Sequence, residues 1–596
     1  MTAPARMAVT SELGVGATLR RGVRVSPELV DGAPLSLTLA ALGAGTRVLV
    51  PIVVQQVVDT GILAPGGPNG RRVAVLALLA LVGLLAGAAC SAYVNVRLFR
   101  SSERGLLTLR TKAFRHIHDL SVLTQGTERR GSLVSRVTSD VDTISLFVQW
   151  GGVLLLVSAL QLSVATVVMA LYSWQLTLLV WVCFVPLLLV VPRMQRGVNG
   201  RYAAVRERVG LMLGALSESV VGAETVRAYG IQARTRRRID AAVRATRDAM
   251  VRAQTLVATA FSAGVLVANG VLAVVVVAGA LLGVGGGISA GRLLAFLFLV
   301  QLFTQPVQQA TEVLNELQNA VAGWRRVLGV LETPIDVPDP GPDAVPSPRG
   351  PARLTYAGVS FGYPDGPTVL RGIDLDVPAG TSVAVVGATG SGKTTLARLA
   401  ARFVDPAAGR VLLDGVDLRL LDPVQLRRRV VLVPQEGFLF DGTVAENLAY
   451  GLHNGVPDDP RVPAAVRELG LADWVDELPA GLDSPVGQRG EQLSAGERQL
   501  VALVRARLAD GDLLLLDEAT SAVDPATEVR IAHALGNLTG GRTTVTIAHR
   551  LSTAEAADVV VVLEAGEVVE TGHHRDLVAR DGVYARLHAA WVAQTR

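Results

Sequence analysis

The stretch AVVGATGSGKTTLARL, Ala384 to Leu399, holds one of only two lysines in the chain, the other being Lys112. Every other one of the 56 basic residues is arginine, so the position itself demands a lysine. GATGSGKT, Gly387 to Thr394, has the spacing G-x-x-x-x-G-K-[ST], follows the apolar run SVAVV and opens a helical pattern. In that context the backbone N–H groups of Gly387, Ala388, Thr389, Gly390, Ser391 and Gly392 converge on phosphate oxygens, helped by the dipole of the following helix. Lys393 reaches the β- and γ-phosphates as a compact charge where a planar guanidinium would not fit. Thr394 is the expected Mg²⁺ ligand, with Thr395 beside it. A chance glycine-rich turn is the bland alternative, and the flanking strand and helix weigh against it.

A second acidic motif answers the first. LLLLDEAT, Leu513 to Thr520, reads as a buried central strand ending in two carboxylates, at the edge where α/β sheets bind ligands. Asp517 is placed for the Mg²⁺ shell and Glu518 for orienting or deprotonating an attacking water. These two motifs alone permit a kinase, a GTPase or a helicase.

The elements that must carry this chemistry fall into two halves. The 596 residues exceed what one core supports. Half are apolar, 18% are charged, and mean hydropathy is +0.41, which places part of the chain in lipid. A net charge of +4 on so long a chain gives no reason to expect a nucleic-acid partner. Cys90 and Cys183 lie in apolar segments and suggest neither a disulfide framework nor a metal site. No signal peptide is expected in the segment that precedes the first apolar stretch.

Six apolar stretches, near 35–62, 73–95, 149–172, 175–194, 255–284 and 292–312, are long enough to span, since about 20 residues cross the hydrocarbon layer. The third and fourth meet at LYSWQL, which requires a tight turn with Trp174 at the interface. The 95–148 connection carries nine basic residues and the 193–252 connection thirteen arginines, against Arg71, Arg72 and Arg292 on the opposite side. Both termini are therefore expected in the cytoplasm. The two basic connections have helical spacing and extend the spans well below the membrane. Inside the spans, Arg47, Gln55, Gln56, Gln161, Asn269 and the face Gln301, Gln305, Gln308 (with Gln309) are either interhelical hydrogen-bonding groups or the lining of a polar cavity. Arg47, Gln301, Gln305 and Gln308 are the cavity candidates. We divide the chain into an N-terminal segment (1–33), a membrane domain (34–332), a Pro-rich linker (333–351) and an α/β nucleotide-binding domain (352–596).

Between the two nucleotide motifs, QRGEQLSAGERQLVALVRARL (Gln488 to Leu508) resembles the signature region of ATP-binding cassette proteins. The rest of that family's pattern appears in order. Tyr363 matches the adenine-stacking aromatic, Gln435 in VLVPQE the Q-loop, Asp524 in SAVD the D-loop and His549 in IAHR the switch histidine. Seven motifs standing in one order, from Tyr363 to His549, carry the resemblance. The membrane half is similar to the family's exporter-type half-transporters. RRGSLVSRVTSDVDTI (Arg130 to Ile144) and LSESVVGAETVRAYG (Leu216 to Gly230) look like the segments holding its two coupling helices, and VGQRGEQ looks like its X-loop.

The resemblance implies a six-span helical membrane domain fused to an α/β P-loop ATPase. It also implies ATP and Mg²⁺ as cofactors, Asp517, Thr394 and Gln435 around the metal, and hydrolysis through Glu518 with His549. Ser494, Ala495 and Gly496 of one chain would complete the site of another, so a second half-transporter is implied as partner, identical or not. The implied role is ATP-driven transport of a small molecule, lipid or peptide across a bacterial plasma membrane, with the ATPase domain in the cytoplasm. A siderophore-type importer with the same fold, or an ATP-gated membrane regulator, are the alternatives. Three departures stand out: LSAGE for the commoner LSGGQ, Gln488 where the X-loop usually has Glu, and Val523 for Leu in the D-loop.

Overall fold

The computed structural model describes residues 10–595, except 65–66, 128–129, 285–286, 351, 365, 436, 454, 518–523 and 549. At 127, 130–131, 153, 156, 187–189, 191–192, 195, 304–312, 314–315, 551 and 594–595 only the backbone is described. The chain forms two compact units, one comprising Val9–Phe114 and Val134–Leu331, the other including Arg115–Leu133 and Glu332–Arg596.

The first unit is helical. Among the described residues its long helices are Ala33–Gln56, Gly70–Asp119, Gly152–Tyr172, Trp174–Val221, Gln232–Val284 and Ala290–Glu332. Each contains or overlaps one of the apolar stretches. Among the described residues, Pro27–Ile62, Gly70–Asp119 and Gln232–Val284 are long and apolar enough to cross a membrane; Val157–Tyr172, Trp174–Pro186 and Ala290–Phe303 are shorter apolar pieces. The LYSWQL junction is a single extended residue, Ser173, whose side chain caps the next helix by accepting from Leu176 N at 3.4 Å. Trp174 beside it is 65% exposed. The first long helix ends in a π-helical turn, Val57–Ile62. There Asp59 accepts from Ser289 Oγ (2.6 Å) and Gly291 N (3.0 Å), capping the sixth helix. A carboxylate at a helix N-terminus satisfies otherwise unpaired N–H groups.

The second unit contains, among the described residues, ten strands: β1 Leu354–Gly362, β2 Thr368–Val377, β3 Ser382–Val386, β4 Ala408–Leu413, β5 Val416–Asp417, β6 Val430–Val433, β7 Leu513–Asp517, β8 Thr543–Ile547, β9 Val559–Glu564 and β10 Glu567–Gly572. They form an antiparallel sheet, β2-β1-β4-β5, and a mostly parallel one, β10-β9-β3-β8-β7-β6. The strands β3, β7 and β8 are buried almost throughout because helices cover both faces of a parallel sheet. A separate helical core gathers around the fully buried Trp474 and the helix Ala495–Ala509.

The Pro-rich segment 333–350 is extended apart from one helical turn, Gly341–Asp343, and it is pinned along its length. Val345 N donates to Leu420 O at 2.7 Å, Ser347 N to Gln425 Oε1 at 2.6 Å, and Arg402 donates to Pro338 O at 2.7 Å. Asp336 accepts from Ser121 Oγ (2.5 Å) and Thr124 Oγ1 (2.9 Å), holding the short helix Val122–Thr127, while Leu123 packs on the sheet core. This chain reversal lies N-terminal to the segment 130–144 in which the resemblance placed the first coupling helix. Residues 130–146 themselves form two helices, Arg130–Val137 and Ser139–Leu146, broken at Thr138. The second such segment contains a short helix, Ala223–Ala228, and its tip is exposed at Val221 and Tyr229.

One buried cation ties the linker to the sheet. Arg429, 3% exposed, pairs with Asp414 (2.7 Å) and Asp512 (2.8 Å) and donates to Ser347 Oγ (3.0 Å) and Gly350 O (3.3 Å). Arg429→Ala is expected to remove one partner each from Asp414 and the half-buried Asp512, which keeps Arg349, to release Ser347 and Gly350, and to destabilise this unit by about 3 kcal/mol. The check is the apparent Tm of the solubilised chain, which should fall by about 10 °C.

Candidate functional site

Four adjacent parallel strands bring the scattered motifs to one edge. β3, β8, β7 and β6 lie side by side, with Val385 level with Ile547, Ile547 with Asp517, and Leu516 with Val433. At or just beyond these positions come Gly387, Asp517 and Gln435. Glu518 and His549 follow β7 and β8 closely in the chain but lie outside the described residues, as does Val523 of the D-loop.

The loop after β3 can be built only from glycine at two points. Gly387 (φ +153°) and Gly392 (φ +106°) adopt backbone conformations that disfavour side chains. A Cβ at Gly387 would collide with the carbonyl of Leu563, and one at Gly392 with Leu370. Ala388, Thr389 and Gly390 are exposed at the loop's crown, and the helix Lys393–Ala400 starts at its foot. Lys393 folds back under the loop, 6% exposed, donating to Gly387 O (2.8 Å) and Ala388 O (3.0 Å). Burial holds its pKa below the usual lysine range, and the negative charge of Asp517 opposes that shift. Ser391 Oγ is buried without a hydrogen-bond partner among the described residues. A loop with no room for a Cβ at Gly387 or Gly392, an unpartnered buried hydroxyl and a buried ammonium fit a polyphosphate.

Around the loop, Thr394 is half-buried and Thr395 buried. Tyr363 OH lies 3.0 Å from Thr395 Oγ1 and accepts from Arg398 at 3.3 Å, while its ring meets Phe361 edge-on. The aromatic is thus tethered to the loop's helix. Gln435 is exposed on the loop after β6. Asp517, Thr394 and Gln435 offer hard oxygen donors of the kind that suit Mg²⁺.

The signature region lies at the start of Ala495–Ala509. Ser494 caps this helix and shares a capping box with Glu497: Ser494 Oγ accepts from Glu497 N (3.2 Å), and Glu497 Oε2 accepts from Ser494 N (2.7 Å). Glu497 Oε1 also accepts from Trp474 Nε1 at 3.3 Å. The glutamate in LSAGE therefore serves as a helix-start anchor. Ser494 and Ala495 are exposed while Gly496 is buried. Asp524 caps Pro525–Thr539, and hydrogen bonds from Thr527 hold its carboxyl below the usual carboxylate range. Gln488 is exposed in a tight turn flanked by Gly487 (φ +71°) and Gly490 (φ +74°).

Two arginines that the sequence does not single out organise these loops. Arg498 donates to Leu493 O (2.6 Å) and Gly490 O (3.3 Å), tying the X-loop to the signature helix. Arg505 donates to Phe438 O, Asn447 O and Asn447 Oδ1, each at 2.6 Å, and lies over the Tyr450 ring. Burial pushes its pKa down to about 10. Together they link the segment after Gln435 to the helix that starts at Ser494. The only sequence signal either one gives is its helical spacing.

In the helical unit, Arg47 donates to Gln161 Oε1 at 2.9 Å, and Gln161 passes the link to Leu302 O at 2.8 Å. Gln161 is buried, so it is an interhelical bridge; Arg47 remains exposed on its outer side. Gln55 bonds Asp59 (3.1 Å) and Gln56 bonds Gln55 (3.2 Å). Asn269 donates to its own helix at Val265 O. Gln301 is exposed; the side chains of Gln305, Gln308 and Gln309 lie outside the described residues. Cys90 and Cys183 are free thiols.

Comparison with known proteins covers both units. Residues 34–307 match the family described as the ABC transporter transmembrane region, and residues 370–521 match the ABC transporter family. The chain is 35% identical over 562 residues to a fatty acid ABC transporter ATP-binding/permease protein of Mycobacterium bovis, covering 94% of this chain and 88% of that one. It is 34% identical over 568 residues to an ATP-dependent lipid A-core flippase of Chromobacterium violaceum, covering 93% and 94%. In structure it is similar to a bacterial Atm1-family ABC exporter with ATP bound, at a TM-score of 0.77, 29% identity and coverage of 97% of this chain and 99% of the other.

Proposed function

Because the chain belongs to the ABC transporter family, with a helical membrane domain and an ATP-binding cassette on one polypeptide, we propose that it is one half of a dimeric exporter for an anionic amphiphile. The observation that carries the class of substrate is Arg47, a guanidinium held at mid-helix by Gln161 and exposed on its other side. A cation in that position costs several kcal/mol in lipid unless it meets water or an anion. A carboxylate or phosphate head group suits it, and the relatives named for fatty acid transport and lipid A-core flipping support this reading. Gln301, with Gln305 and Gln308, would extend the polar lining. The six helices would each cross the membrane, with termini and cassette in the cytoplasm.

In the cassette, Gly387 to Thr395 would hold the triphosphate and Tyr363 the adenine. Ser494 and Gly496 of a second chain would close over the γ-phosphate. Thr394, Gln435 and Asp517 would hold Mg²⁺, which supplies charge neutralisation at the phosphates. Glu518 would take a proton from the attacking water and His549 would hold the γ-phosphate. Closure of two cassettes would then pass through the short cytoplasmic helices 122–127 and 223–228 to the spans.

The chain alone in lipid nanodiscs should have twice the chain mass, and in liposomes should move a fluorescent fatty acid or anionic lipid in an ATP-dependent way. Arg47→Ala should raise the half-stimulating concentration of that lipid about tenfold, in line with loss of one charged contact. A single-chain mass without hydrolysis would point to an unlike partner. Nucleotide-dependent ion conductance without lipid movement would support a gate instead of an exporter.

A further inference from the structure

At the C-terminal edge of the cassette, three segments bring two histidines and a glutamate together. Glu555 ends the helix Leu551–Glu555, His574 opens His574–Ala579, and His588 lies in Val583–Thr595. Glu555 Oε1 is 3.9 Å from His574 Nε2 and 3.8 Å from His588 Nε2, and the three ligand atoms all lie within 4.8 Å of one another. These separations are too long for direct hydrogen bonds. They approach the spacing of ligands around one ion: zinc bonds of about 2.0–2.1 Å put tetrahedral neighbours about 3.4 Å apart. Glu555 is exposed and can close the difference by rotation; the two imidazoles are mostly buried.

The orientation of His574 is already set. Its Nδ1 lies 2.7 Å from the hydroxyl of the fully buried Tyr584, leaving Nε2 to face Glu555 and His588. A hydrogen-bond partner on the far ring nitrogen is what metal-binding histidines require to fix ring and tautomer. From this geometry we propose that Glu555, His574 and His588 bind one divalent transition-metal ion, with Zn²⁺ the best fit to two imidazoles and a carboxylate. With three protein ligands, one coordination position stays open to solvent. The ion would cross-link the helix that follows β8 to the two C-terminal helices, which already share a core through Ala554, Leu577 and Tyr584. The site is separate from the transport reading and does not depend on it.

The test uses the full chain with a tag lacking histidine, stripped with chelator and free of nucleotide. Calorimetric titration with Zn²⁺ should show one equivalent per chain. His588→Ala and Glu555→Gln should each weaken binding at least about 100-fold, since even the loss of outer hydrogen-bond partners costs about 10–100-fold. The exposed His533, elsewhere in the cassette, supplies the control, and His533→Ala should bind as the parent does. His574 is left intact because its bond to buried Tyr584 also supports the fold. Co²⁺ should give a visible ligand-field band in the parent that both variants lose while keeping the parent's unfolding midpoint. No Zn²⁺ binding by the parent, or equal binding by the parent and both variants, overturns the proposal.

Discussion

Lys393→Arg is expected to abolish ATP hydrolysis as completely as Lys393→Ala, with kcat lower by at least about 100-fold, the usual cost of losing one preorganised charge donor. The chain uses arginine at nearly every basic position, so a permissive site would be expected to hold one. The structure supplies the reason for the exception. Lys393 is buried beneath the glycine loop with its ammonium 2.8 Å and 3.0 Å from two loop carbonyls. A guanidinium is planar and wider, and it cannot turn under the loop without displacing those carbonyls. Phosphate release checks the loss, and a fluorescent ATP analogue separates failed binding from failed chemistry. Activity of Lys393→Arg close to that of the parent would refute the demand for lysine.

Glu518→Gln should have the second large effect, for a different reason. The amide keeps the shape of the side chain but cannot accept a proton, and general-base losses run to about 10²–10⁴-fold. Nucleotide binding should survive because the phosphate cradle, Gly387 to Thr394, is untouched. ATP should therefore accumulate on a closed dimer, visible as nucleotide that stays bound to the variant through gel filtration under conditions where the parent hydrolyses and releases it. Hydrolysis at the parent's rate would move the base elsewhere, with Asp517 the next candidate. The contrast between variants is informative: Lys393 substitutions should lose binding and turnover together, Glu518→Gln turnover alone.

Sequence legibility followed the range of the interactions concerned. The glycine loop is readable because its chemistry is local: positive φ at Gly387 and Gly392, and a lysine at a fixed offset. The apolar helices are readable because lipid imposes a length and a composition. Arg498, Arg505 and Asn447 were not readable. Each bonds to backbone groups or loops outside its own helix, and a buried arginine on a helix has the same spacing as a solvated one. The segment 333–351 showed its prolines but not its anchors, since Asp336, Val345 and Ser347 find their partners at Ser121, Leu420 and Gln425, all far off in the chain. The short helix Val122–Thr127 depends on Asp336 in the same way.

Motif spacing and hydropathy are written along the chain, and they suffice for the family and its two-part architecture and for naming the residues proposed to carry the nucleotide chemistry. Which strands stand side by side is a matter of packing. The order β3-β8-β7-β6 departs from chain order, and it brings Gly387, Gln435 and Asp517 to one sheet edge from widely separated positions. Packing also makes Gln161 a bridge while Arg47 keeps an exposed side, and it makes Glu555, His574 and His588 converge. Periodicity reports which face of an element is buried, but it carries no record of the neighbour that will cover that face.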